Sequence, residues 1–122
     1  MISSTFNSNI YRLPEDITGT TYISDFRKKL SPGAYRIQGS NDLNKIGLTT
    51  SDIYEHGLLI YIPNMSGQFF MYVGHSDNPP QDYRLDRCFI SCDLRTDEQP
   101  LNQIMWWCIN NLSKNGLYGS SD

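Results

Sequence analysis

Between residues 31 and 73 the sequence alternates turn-forming residues with short runs of aromatic and β-branched side chains. That alternation limits the fold more than any other feature of the chain. Pro32 and Gly33 open the first run, Ala34, Tyr35, Arg36, Ile37 and Gln38. Proline fixes φ and glycine accepts conformations closed to other residues, so the pair marks a turn into a strand. A long polar stretch follows over 39–55, read as an ordered loop with Leu43, Ile46, Leu48 and Ile53 as anchors. The second run covers 58–63 and the third 68–73. Asn64, Met65, Ser66 and Gly67 between them have hairpin chemistry. Runs of this length and composition suit buried or half-buried strands. A fourth is expected over 87–94.

Two segments read as helical. Tyr22, Ile23, Phe26 and Leu30 recur at helical spacing, with Arg27, Lys28 and Lys29 toward the C-terminal end, where cations suit the helix dipole. Near the other end, Leu101, Ile104, Met105, Cys108, Ile109 and Leu112 fall on one helical stripe, preceded by Thr96 and Gln99 at capping-box spacing. Periodicity matches a helix over 101–112 better than the alternative, a strand buried on both faces. The expected fold class is therefore α+β: a small, mainly antiparallel β domain with one N-terminal helix and a C-terminal helix. Residues 1–20 are rich in Ser, Thr, Asn and Gly and read as an extended N-terminal arm. Residues 21–122 read as a single globular domain, and the tail from Ser113 is polar and Gly-rich.

A chain of 122 residues can bury roughly two thirds of its unfolded surface, enough for a core without staples. Three cysteines, Cys88, Cys92 and Cys108, are an odd count for a disulfide framework and read as small core hydrophobes. The net charge is −3, and the one basic run, Arg27-Lys28-Lys29, reads as a solvated helix face, so nucleic acid is not an expected partner. No apolar run approaches spanning length, so membrane insertion is not expected. Residues 1–9 are polar with no charged leader, so the chain is expected to be soluble and made in a cytoplasm.

Chemistry finds little purchase. A nucleophile needs a base within reach, and the histidines, His56 and His75, sit at a strand entry and in a loop. Cys88 and Cys92 with one histidine fall short of the four ligands of a structural zinc site. Asp77, Asp82 and Asp86 recur around one loop, and Asp93, Asp97 and Glu98 around another. Spacing does not place two of them across a cleft. Asp77 and Asn78 could serve calcium, but no EF-hand loop is present. The expectation is a protein without catalytic residues, metal or cofactor. Its aromatic residues, eight Tyr, five Phe and two Trp, are the remaining asset for a core, a partner or a sugar. Trp106 and Trp107 are adjacent, so at least one should face a second surface. Trp106, Trp107, Tyr72 and Tyr83 are the candidate contacts for a partner or glycan. Phe6, Ile10, Tyr11 and Leu13 are the candidate docking residues of the arm.

The order of these segments resembles a known family. Leu30-Ser31-Pro32-Gly33-Ala34-Tyr35-Arg36-Ile37 is followed by Gly57-Leu58-Leu59-Ile60-Tyr61-Ile62. Then come Gln68-Phe69-Phe70-Met71-Tyr72, Arg87-Cys88-Phe89-Ile90-Ser91, and the pair Trp106-Trp107. The run resembles the pyocin-knob type of domain in bacteriophage tail fibres and related tail appendages. That family tends to run from a Pro-Gly-aromatic strand through Gly-Leu-Leu-Val and Gln-x-x-Tyr to a pair of tryptophans. The family usually separates those tryptophans by two residues; here they are adjacent. The resemblance implies a knob-like, non-enzymatic virion component, made in the bacterial host and working as an oligomer, with a trimer favoured. Its partners would be other tail or fibre proteins. The second expectation is a carbohydrate-binding module that recognises a cell-surface glycan through aromatics and Asp/Asn loops.

Overall fold

The structure is a computed structural model that describes residues 7–49, 53–64, 67–75, 87–91, 98–109 and 117–119. Its centre is one sheet whose strands lie side by side in the order in which the chain makes them. The strands are β1 (Asn7–Arg12), β2 (Gly33–Gln38), β3 (His56–Asn64), β4 (Gly67–His75), β5 (Cys88–Ser91), β6 (Met105–Cys108) and β7 (Leu117–Gly119). β1 runs parallel to β2, and every later pair is antiparallel. Parallel neighbours need a crossover, and the helix α1 (Ile23–Lys29) lies in it. A second helix, α2 (Ser40–Lys45), follows β2, and a 3₁₀ turn at Leu101–Gln103 precedes β6. The fold is α+β with a mostly antiparallel sheet.

Side chains of a strand alternate between faces, and here the alternation builds the core. Tyr35 and Ile37 of β2, Leu59 and Tyr61 of β3, and Phe70 and Tyr72 of β4 point to one side and are buried. Phe89, Trp106 and Cys108 continue that layer across β5 and β6. The helical segments close it with Ile23, Phe26, Leu43 and Leu101, all buried in the same cluster. Phe26 meets Tyr61 edge-on at 4.9 Å and Phe70 at 5.6 Å between ring centroids, while Tyr61 and Phe70 stack at 5.3 Å. Such pairs add to what burial alone contributes.

Backbone bonds join the segment before α1 to the 3₁₀ turn before β6. The amide of Ile23 donates to the Gln99 carbonyl at 2.9 Å, Leu101 to Thr21 at 2.9 Å, and Asn102 to Gly19 at 2.8 Å. The first of these supplies an acceptor for one of the orphan amides at the start of α1.

Several expectations are corrected. The segment 101–112 is not a helix where it is described. After the 3₁₀ turn it becomes strand β6, but not one buried on both faces: Trp106 and Cys108 are buried while Trp107 is exposed. The stretch 39–55 is not a loop throughout, because α2 occupies its first part. That helix ends in a Schellman motif: Gly47 takes φ +88°, its amide donates to the Asn44 carbonyl at 3.1 Å, and the Leu48 amide donates to Leu43 at 3.3 Å. Leu43 and Leu48 are both buried, as that motif favours. The segment read as an arm supplies β1, and its Leu13 and Ile17 lie in the core.

Candidate functional site

The face of the sheet opposite the core is also apolar. Register places Ala34, Ile60, Met71, Ile90 and Trp107 in one row across β2 to β6. Leu58, Val73 and Cys88 form a second row beside it, continued onto β2 by Arg36. Ile62 and Phe69 face each other beyond the first row. These positions are partly or fully exposed, with Ile62 at 42% and Trp107 at 44%. Ile109, next after β6, is similarly exposed. A solvated antiparallel sheet normally shows polar residues on its open face. Here the one formal charge among the described outward positions of β2–β6 is Arg36. Its rim carries Gln38, His56 and His75, side by side on neighbouring strands and exposed.

The candidate contact residues separate by strand parity. Trp107 faces outward. Trp106, one residue earlier, is fully buried and donates from Nε1 to the Ile46 carbonyl at 2.6 Å. Tyr72 is fully buried as well, and its hydroxyl donates to the Tyr54 carbonyl at 2.6 Å. Trp106 and Tyr72 are therefore core residues rather than contact residues. Tyr83 and Phe6 lie outside the described residues. Ile10 and Tyr11 of β1 are exposed, whereas Leu13 is buried in its own domain and has no surface to offer a partner. The outward row was not singled out from the sequence. Its signal was there: both parities of 58–62, 69–73 and 105–108 are apolar.

Around Tyr72 the sheet draws in closely. Gly57 and Gly74 face each other across β3 and β4, and a Cβ on Gly57 would overlap the Val73 carbonyl oxygen. A Cβ on Gly74 would stand 2.7 Å from that of Tyr54. Tyr54 covers this corner, its hydroxyl accepting from Arg87 at 2.9 Å while the guanidinium lies 4.9 Å from its ring centre. Burial pushes the Tyr72 phenol well above its ordinary range, and the negative charge of Glu55 pushes it further. The unfolded chain ionises this phenol near pH 10, the folded one only at higher pH. The stabilisation is complete below about pH 10 and is lost as pH rises toward the folded value, by up to about 1.4 kcal/mol per pH unit. Tyr72→Phe should remove this part of the alkaline decline. Urea titrations of both proteins from neutral to strongly alkaline pH check it. Parallel declines would show that Tyr72 contributes nothing to the pH dependence.

Asp42 is the buried carboxylate of the other corner. It accepts from the Gln38 amide at 2.9 Å and from Arg12 at 3.2 Å, with Lys45 at 3.6 Å. These contacts tie β1 and β2 to the start of α2, and two hydrogen bonds with the nearby Lys45 ammonium account for the burial of one charge. Among the described residues no group of three or more His, Cys, Asp or Glu is placed to hold a metal. No described helix is long and apolar enough to cross a membrane. Asp77, Asn78, Asp82, Asp86, Cys92, Asp93 and Asp97 lie outside the described residues. The chain matches no family model, no curated protein and no solved structure.

Proposed function

We propose that this protein is a non-enzymatic structural module of a bacteriophage tail, fibre or related appendage, working by assembly with copies of itself and with other tail proteins. The observation that carries the reading is the apolar outer row from Ala34 to Trp107, on a sheet whose other face already holds a complete core. Apolar surface of this extent marks an interaction site on a soluble protein. The family resemblance points the same way. Its five segments fall on β2, β3, β4, β5 and β6, five consecutive neighbours in the sheet. The tryptophan pair lies on a strand, which suits the ending of that family.

Gold-labelled antibody raised against the chain should decorate the tail or its appendages in phage particles from the strain that encodes it. Abundant chain in the lysate with no label on any particle would overturn the reading. A glycan array separates the second function. The assembly reading expects no binding, and saturable binding of one glycan class, lost in Trp107→Ala, would favour a carbohydrate-binding module.

A further inference from the structure

We infer that the outer face of the sheet is a two-fold interface, on which a second copy of this chain packs face to face. Area is the first argument. Five strands about 4.8 Å apart, from about 13 Å long at β5 and β6 to about 30 Å at β3 and β4, give a flat footprint of about 500 Å². Two such faces together remove about 1,000 Å² from water before side-chain relief is counted, the extent at which an interface becomes biological. Antiparallel sheets stack in this way about 10 Å apart, aligned within about 30°, and the product is a sandwich with a second core.

Charge is the second argument, and it also selects the symmetry. Arg36 stands on β2 at one edge of the face, and Trp107 on β6 at the other. A two-fold axis parallel to the strands lays β2 of each copy over β6 of its partner. Each guanidinium then approaches the strand that carries an exposed indole, an attractive pairing. An axis across the strands would instead lay β2 over β2 and bring both guanidiniums to the same edge of an otherwise uncharged layer, which is repulsive. One flat patch meeting itself is an isologous contact and closes at two copies. A three-fold ring needs two different patches. The inference therefore replaces the trimer implied by the family resemblance with a dimer. It stands on the sheet alone, so it holds or fails independently of whether the chain belongs to a virion.

Sedimentation equilibrium of the full chain over a concentration series tests it, with circular dichroism to confirm folding. The wild type should be a dimer. Trp107→Ala should raise the dissociation constant at least about 30-fold, as the loss of an aromatic anchor does. Arg36→Glu should raise it about 10-fold, and Lys28→Glu, exposed on α1 on the opposite side of the sheet, should leave it unchanged. If Trp107→Ala does not fold, Ile62→Asp takes its place, since that side chain is also well exposed. A monomer at the highest soluble concentration, a trimer, or a dimer indifferent to both outer-face substitutions would each overturn the inference.

Discussion

Trp106→Ala should destabilise the domain by about 3–5 kcal/mol, the range for truncating a large buried aromatic. The ring is fully buried and lies 6.5 Å from that of Phe70, so its removal leaves a cavity beside the aromatic cluster. It also strands the Ile46 carbonyl, which accepts the indole N–H at the end of α2. A buried acceptor without a donor adds its own penalty, about 1–3 kcal/mol. Small domains have about 5–15 kcal/mol in total, so much of the margin is gone. In thermal denaturation the midpoint should fall by about 10–25 °C. Trp106→Phe keeps a ring but no donor and should lie between the two. Trp107→Ala should leave the midpoint of the monomer nearly unmoved. An alanine variant at position 106 that melts with the wild type would contradict the core described above.

Removing residues 1–20 should abolish cooperative unfolding. This departs from the reading of residues 1–20 as an extended arm outside the globular domain. Leu13 and Ile17 are buried, and burying each contributes about 1.5–3 kcal/mol. The cut also takes β1 off the sheet, exposes the edge of β2, and removes the Arg12 partner of buried Asp42. Bare strand edges invite aggregation, so the truncated chain should be poorly soluble. Removing residues 1–6 leaves every contact named here in place and should preserve a sharp thermal transition. A 1–20 truncation with a sharp transition close to the wild type would show that β1 and its two anchors are dispensable.

The strands β2, β3 and β4 were legible because turn residues bound them and β-branched and aromatic residues fill them. Reading them needed no knowledge of what lies across the sheet. The helix α1 was legible from Ile23 and Phe26 at helical spacing. Residues 105–108 were misread for a physical reason. A strand with one polar face alternates, but Met105-Trp106-Trp107-Cys108 is apolar on both parities, although only Trp106 and Cys108 are buried and Trp107 lies on the exposed face. With the alternation gone, Leu101, Ile104 and Cys108 fell on a helical stripe by coincidence, although Leu101 is buried through a 3₁₀ turn. The helix α2 was missed because it is short and polar, with Leu43 its one buried apolar residue. Gly47 just after Ile46 was the available signal, since a positive φ at that place commonly ends a helix. The outer face was hidden by the same coincidence of parities. Apolar residues on both sides of a strand look like a deeper core until the helical segments are seen to cover only one side.

The strand order has a consequence for how the molecule is made. From β2 onward each new strand docks on the strand just before it, so the sheet grows by closing connections of 2 to 17 residues between sequence neighbours. Such local closures cost little chain entropy and can follow synthesis step by step. The lid over the core cannot. The segment 19–23 finds its partners only at 99–102, and the end of α2 finds the Trp106 indole 60 positions later. A nascent chain that stops short of residue 99 therefore carries most of a sheet with its aromatic layer incompletely roofed. Residues 99–106 seal what the earlier strands have laid down, and during synthesis the exposed intermediate lasts until they have left the ribosome.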